Sequence, residues 1–472
     1  QLSKLIDTHI PVFWSDVKVA IGDYLTNLNH ENKEADNRYS LIQMDRENFF
    51  YIEQDIYEFP REHYRKNNLR KKKAPKRATF KELVNSSKLT LVEGGMGGGK
   101  SKLLRKIVDH YSNPDVYNDE KILPVLVSYN EFLKQFSGNI DKLLQEMIPP
   151  NTRSLEDEFK YLILIDGIDE KKAEGDEQIS LLEELSSDIA KRENVHAIVT
   201  SRYLRTLDQS FELEKEIARY HLPPLRLGKT IEFVKQLCTE LNLSSRLLED
   251  LKKSQLFHEL PQSPIAAILL AKLINENPEE LPSNITELYS QYTELTLGRW
   301  DTKKGLQLQT LKEYKAMEEI LKGISKVIFD NGMPYAMLGD TKEYVETYLA
   351  ERNFGLEADD LFEKLISRCE LITVDREKNI FEFKHRTFGE FFYALGVDDS
   401  NELFSSERAF NLYWQNIVFF HLGLKRDAPI LLEKLIEIEP ASELERWLRL
   451  INLGNYFLAA HVPPQVKMEK WT

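Results

Sequence analysis

The chain has 472 residues, 42% hydrophobic and 30% charged, with a net charge of -14. That length exceeds a single core and implies several domains. The acidic balance argues against non-specific nucleic-acid binding by the chain as a whole. No apolar run is long enough to span a bilayer and no secretory signal is visible at the start. The two cysteines, Cys238 and Cys369, lie far apart, which argues against a disulfide framework or a zinc site and for a reducing, cytoplasmic setting. The chain opens on Gln1 rather than methionine, as expected of a fragment of a longer protein.

Residues 1–78 are expected to form a helical and linker region. Leu5, Ile6, Ile10, Val17, Val19, Ile21 and Leu25 give mixed helical patterning, and 48–58 is aromatic and acidic without a catalytic signature. Arg65, Lys66, Arg70, Lys71, Lys72, Lys73, Lys76 and Arg77, with Pro75 near the end, make a basic run. It reads as a solvated linker. The alternative, contact with nucleic acid or an acidic partner, lacks an aromatic platform. From Phe80 strands and helices alternate. Strands are expected at 89–92, 122–127, 161–165, 197–200 and 220–225, and helices at 102–111, 132–147 and 181–189. Such alternation predicts a parallel sheet covered by helices on both faces. After 225 the pattern turns helical, at 231–241, 247–253, 265–274, 285–300 and 313–329. Two short strands, 371–374 and 381–383, flank 375–379 and read as the hairpin of a winged helix. From about 400 the chain is helical again, with Trp414, Phe419, Leu431, Leu435, Trp447, Leu450 and Leu453, as at the start of a helical repeat array.

The densest chemistry lies in Gly94-Gly95-Met96-Gly97-Gly98-Gly99-Lys100-Ser101, between an apolar strand and a helix periodic in Leu103, Leu104, Ile107 and Val108. Spaced G-x-x-x-x-G-K-S, it reads as a phosphate-binding loop. Glycines let the backbone wrap a pyrophosphate with its N–H groups turned inward, and the helix N-terminus adds partial positive charge. Lys100 is expected on the β- and γ-phosphates and Ser101 on Mg2+, with Lys102 counted among the nucleotide-binding residues. A second buried strand, Leu162-Ile163-Leu164-Ile165-Asp166, ends in a carboxylate suited to Mg2+, and Asp169 and Glu170 follow to polarise an attacking water. A third, Ile198-Val199-Thr200-Ser201-Arg202, ends in an arginine able to sense a γ-phosphate.

These segments carry a resemblance. Residues 162–170 are similar to the extended Walker B motif of NACHT domains, and Thr200-Ser201-Arg202 to their sensor-1 strand. Residues 256–270, with Pro264 before an apolar helix, resemble the first helical domain. Glu287-Leu288-Tyr289-Ser290-Gln291-Tyr292, ending at Arg299-Trp300, resembles bacterial NACHT proteins. Phe383-Lys384-His385-Arg386-Thr387-Phe388-Gly389-Glu390-Phe391-Phe392 resembles the end of the winged-helix domain. Two residues depart from the family pattern: Met96 in the loop, and Gly389 where glutamine is usual.

The resemblance, over about 80–395, implies an α/β P-loop NTPase core at 79–225, a helical domain at 226–290, a winged-helix domain at 291–395 and C-terminal helices at 396–472. It implies a signalling NTPase of the STAND class that binds ATP or ADP with Mg2+ and hydrolyses ATP slowly. Pro264 would pack near the adenine and His385 would reach the β-phosphate of ADP in a closed state. Activation by an unknown trigger, a phage protein among the candidates, would lead to self-association in antiviral defence, with no membrane and no nucleic-acid partner. Three rivals share the loop. A motor of the AAA+ class would need an arginine finger, for which Arg153 and Arg192 are candidates. A transcription regulator would use the wing at 371–383, and a kinase would leave the segments after 225 unexplained.

Overall fold

The computed structural model describes residues 2–41, 51, 53–58, 76–150, 159–171, 177–202, 204, 217–240, 263–276, 282–298, 308–352, 354–425, 428–439, 453 and 456. The basic run up to Pro75, Arg153, the helix expected at 247–253, Arg299, Trp300, Trp447 and Leu450 lie outside them. The chain divides into two compact units.

The first unit comprises Gln1–Asn37, Met44–Lys171 and Asp176–Pro223. It begins in a long helix, α1 (Leu2–Tyr39). Val17, Ile21, Leu25, Leu28 and Asn32 recur every three or four residues and are buried, so they form one stripe. Val19, expected in that patterning, faces solvent at 60% exposure because it lies off the stripe. Tyr24 donates to the Pro124 carbonyl at 2.7 Å, and the Asn32 amide to the Arg105 carbonyl at 3.0 Å.

Among the described residues of this unit, seven strands form one sheet in the order β2-β1-β7-β3-β6-β5-β4. They are β1 (Ile56–Glu58), β2 (Arg77–Ala78), β3 (Leu89–Gly94), β4 (Ile122–Ser128), β5 (Lys160–Asp166), β6 (Val195–Ser201) and β7 (Ile217–Leu222). The five strands β3 to β7 run parallel, as the buried apolar runs predicted. The fifth begins at Ile217, three residues before the expected start. β1 and β2 pair antiparallel at the edge, within the region read as helix and linker. At three and two residues, they are too short to carry a period.

The helices are α2 (Phe80–Ser86), α3 (Lys100–Tyr111), α4 (Pro114–Glu120), α5 (Tyr129–Lys134), α6 (Ile140–Met147) and α7 (Glu177–Ala190). Thr79 and Glu82 form a capping box at α2, as do Ser128 and Glu131 at α5. The single helix expected over 132–147 is broken into α5 and α6. Ser137 and Gly138 take positive φ (56° and 68°), and the Asn139 side chain then caps α6. Leu103, Leu104, Ile107 and Val108 of α3 are fully buried against the sheet with Leu162, Leu164 and Ile198. Each contributes about 1.5–3 kcal/mol through removal from water, so α3 is anchored firmly and its first turn, at the phosphate loop, is fixed in place.

The second unit holds Pro224–Thr472 with two short pieces, Arg38–Gln43 and Lys172–Gly175. Its longer described helices are α8 (Leu227–Glu240), α9 (Pro264–Glu276), α10 (Ile285–Thr296), α11 (Leu308–Asp330), α12 (Leu338–Arg352), α13 (Ala358–Arg368), α14 (Arg386–Leu395), α15 (Gln415–Leu424) and α16 (Ala428–Glu437). α10 stops four residues short of the expected end, ahead of Gly298 at φ 84°. The expected hairpin is present as β9 (Ile372–Asp375) and β10 (Ile380–Phe383). A third strand, β8 (Ala336–Met337), pairs on the outer edge of β10. The Asp375 carboxylate accepts from the Glu377 and Lys378 amides and Asn379 takes φ 55°, which closes the turn.

The departure at Gly389 has a steric cause. A Cβ there would lie 2.8 Å from Phe383 and 2.9 Å from Phe329, so no side chain fits between the two rings. The adjacent Glu390, fully buried, pairs with Arg386 at 3.1 Å and accepts from the Asn416 amide at 2.7 Å.

His421 on α15 is also fully buried, between the Ala394 carbonyl and the Ser400 hydroxyl. Burial is the main cause that lowers its pKa to about 4. The folded state keeps this imidazole neutral, whereas the unfolded chain takes up a proton near pH 6.5. Stability should therefore fall as pH drops from about 6.5 to 4, by roughly 3 kcal/mol from this group. Thermal melts between pH 7 and 4.5 check this. The parent should lose more stability than His421→Gln over that range.

Candidate nucleotide-binding site

The site is built where the carboxyl ends of β3, β5 and β6 meet the start of α3. β3 ends at Gly94 and α3 starts at Lys100, with Gly95 to Gly99 between them. The Gly98 amide donates to the Gly95 carbonyl at 3.2 Å, which closes the loop into a tight turn. A Cβ on Gly98 would sit 3.0 Å from that carbonyl. Gly99 occupies the N-cap position of α3 at φ 84°, a left-handed conformation that glycine adopts without strain. No side chain caps this helix, so its first N–H groups point to the loop's concavity. Met96 lies within the turn itself.

The Lys100 ammonium donates to the Gly94 carbonyl at 2.8 Å and the Gly95 carbonyl at 3.3 Å. Burial is the largest influence on its pKa and lowers it, Asp169 opposes that, and Arg202 adds to it; Asp166 and Glu170 act in the same sense as Asp169. The structure thus brings Lys100, Asp166, Asp169, Glu170 and Arg202 into one electrostatic group. Ser101, the next residue of α3, is exposed. Lys102 is placed otherwise than expected: its ammonium pairs with Asp36 of α1 and not with the loop. As the third residue of α3 it points along the face that α1 covers.

Asp166 ends β5 beside β6. Thr200 of β6 donates its hydroxyl to Asp166 Oδ1 and accepts the Gly167 amide at 2.9 Å. Gly167 then turns through φ 76° into a short 3-10 turn, Ile168–Glu170. That turn carries Asp169 inward, to 3% exposure. Asp169 Oδ1 accepts the Arg202 amide at 3.0 Å, and its Oδ2 lies 3.1 Å from Arg202 Nε. Asp166 and the Ser101 hydroxyl together are a hard oxygen donor set of the kind Mg2+ takes alongside phosphate oxygens and water, so these residues fit that ion.

Sequence reasoning missed two supports of the site. Thr200 enters the sequence reading only as a residue of the sensor-1-like strand, although its hydroxyl holds the Asp166 carboxylate. Replacing it with valine should leave the Gly167 N–H and Asp166 without their partner. The expected cost is about 1–3 kcal/mol of stability, with weaker Mg2+ dependence of nucleotide binding, read by melting and by titration of the ion. The other is Glu93, fully buried on β3. Both its oxygens bond Arg219 of β7, at 2.9–3.1 Å, and Oε1 accepts the Leu204 amide at 2.7 Å. A carboxylate inside an apolar strand must have a partner, and that was the available signal. Arg219→Met should destabilise by about 3–5 kcal/mol because it strands a buried charge; a denaturant titration measures it.

Arg192, a candidate arginine finger, is bound to Asp141 at 2.7 Å and Asp188 at 2.8 Å. Those bonds hold its pKa above the usual range, the Asp141 hydrogen bond first among them. It is engaged within its own unit, and no finger role is retained for it. Pro264 starts α9 in the second unit, where the Ser263 hydroxyl accepts the Ala266 amide. His385, also in that unit, is the N-cap of α14. Its Nδ1 accepts the Thr387 amide and lies 2.7 Å from the Thr387 hydroxyl, which meets the Tyr289 hydroxyl at 2.9 Å.

A strand, a glycine loop opening a helix, and a second buried strand ending in an aspartate beside them define a P-loop nucleoside triphosphatase. The model of the NACHT domain matches residues 88–240, so the chain carries a NACHT domain over that segment. No curated protein matches it. Among solved structures, the Walker-type ATPase of Pyrococcus abyssi is 15% identical, over 66% of this chain and 92% of that one, at a TM-score of 0.31. The ORC2 protein of Aeropyrum pernix, solved as ADPNP–ADP complexes, is 12% identical over 65% and 88%, at 0.28. Cdc6p of Pyrobaculum aerophilum is 13% identical over 65% and 86%, at 0.27. No helix of the described residues is long and apolar enough to cross a membrane.

Proposed function

We propose that the chain is a nucleotide-operated switch. The backbone amides from Gly94 to Gly99 and the Lys100 ammonium grip the phosphate tail, Ser101 and Asp166 hold Mg2+, and Asp169 with Glu170 activates water. Arg202 answers the γ-phosphate. The observation that carries this reading is the Asp169–Arg202 pair. Both carboxylate oxygens of Asp169 are engaged by Arg202, so hydrolysis waits until the γ-phosphate draws Arg202 away and frees Asp169 to orient water. Slow, conditional turnover suits a timer better than a motor. By resemblance, the ATP form self-associates after a trigger, in bacterial antiviral defence. A population shift of this kind requires that the two nucleotides differ in affinity for the two states.

The test is calorimetry of the purified chain with Mg-ATP and Mg-ADP, followed by a turnover assay and light scattering. Both nucleotides should bind. Turnover should stay well below ~1 s-1, the low end for ordinary enzymes, and particle mass should rise only with the triphosphate. Steady, rapid hydrolysis without a trigger would favour the motor. Absence of binding would end the proposal.

A further inference from the structure

One side chain at the phosphate loop comes from far outside it. Gln54 lies just before β1 and is 7% exposed. A Cβ built on Gly99 would fall 2.6 Å from its Nε2 and 3.1 Å from its Oε1, so the carboxamide occupies the space that any other residue at 99 would need. Its Oε1 has no hydrogen-bond partner. A buried carbonyl oxygen without a partner is costly and calls for an explanation, such as a role toward a ligand. The backbone around it is held firmly. Asp55 pairs with Arg77 at 2.8 Å, and Tyr57 of β1 pairs with His221 of β7. Gln54 is also neutral between two acids, Glu53 and Asp55. The residue of this segment that lies against Gly99 is thus uncharged.

We propose that Gln54 is a phosphate-contacting residue of the nucleotide site. This rests on the nucleotide-binding reading above. The carboxamide is a two-ended group, and rotation about its last bond exchanges donor and acceptor. In the complex the Nε2 end donates to an oxygen of the nucleoside di- or triphosphate where the tail meets the first turn of α3. It supplements the loop amides from a segment that precedes them in sequence by about 40 residues.

The test compares the parent with Gln54→Met and Gln54→Glu, both of similar length and shape, by titration with ATP, ADP and adenosine, alongside thermal melts. Methionine removes the donor and should weaken ATP and ADP by about tenfold. Glutamate sets a carboxylate against the phosphates and should weaken them by about a hundredfold, with the deficit shrinking as salt rises. Adenosine should bind all three proteins alike. The proposal is overturned if both variants bind ATP and ADP as the parent does, or if adenosine loses as much as ATP. If methionine prevents folding, the glutamate variant and its salt dependence decide. Failure of the parent itself to bind any nucleotide would remove the function proposed above and this contact with it.

Discussion

Lys100→Ala should abolish nucleotide binding, weakening ATP and ADP by about a hundredfold or more. The ammonium is the group with most to gain from a phosphate. Burial lowers its pKa, and its hydrogen-bond acceptors are two carbonyl oxygens of its own loop, Gly94 and Gly95. Those carry partial charge only. A polyphosphate offers full negative charge in the same low-dielectric place, where the attraction exceeds that in water. An anion also raises the pKa that burial lowered, so at alkaline pH nucleotide binding should take up protons, visible as a buffer-dependent heat. Alanine removes both effects. The melting temperature without nucleotide separates loss of binding from loss of fold. A variant that melts like the parent and still binds ATP with parental affinity would remove Lys100 from the site.

Asp169→Asn combined with Glu170→Gln should keep binding and reduce hydrolysis by a factor of about a hundred or more. Amides are preferred to alanines because of what surrounds Asp169. It is 3% exposed and paired with Arg202, itself 8% exposed. Truncation would strand the guanidinium in the interior at a cost of about 3–5 kcal/mol. An asparagine keeps an oxygen for the Arg202 amide and removes only the charge. Single-turnover measurement with pre-bound ATP reads the chemical step alone. Parental hydrolysis by the double variant would show that the general base lies elsewhere.

The interior of the sheet was legible because parallel strands buried on both faces read as near-continuous apolar runs; Leu162 to Ile165 is one, and Leu89 to Val92 is another interrupted only by Thr90. The glycine loop was legible because its chemistry depends on consecutive residues. What escaped was either short or distant. Ile56–Glu58 and Arg77–Ala78 become strands through pairing at an edge, not through their own pattern. The break at Ser137 and Gly138 turned on two dihedral angles. Lys102 meets Asp36, 66 residues earlier, and the carboxamide of Gln54 lies beside Gly99. Such partnerships are created by the fold and leave no trace in local spacing.

The packing of the C-terminal helices bears on how this protein can be divided. A boundary after Leu395 looks natural in the sequence, yet it cuts through an interior. Gly423 of α15 sits so close to Thr286 of α10 that a methyl group would lie 2.2 Å from its hydroxyl. The Asn416 amide supplies one of the bonds on buried Glu390. Severing the chain there would uncover the rings of Phe391 and Tyr289, which Phe420 of α15 meets at 5.5 and 5.0 Å. Fragments ending near 395 are thus expected to precipitate, whereas those that run through Leu424 retain the lid over these rings.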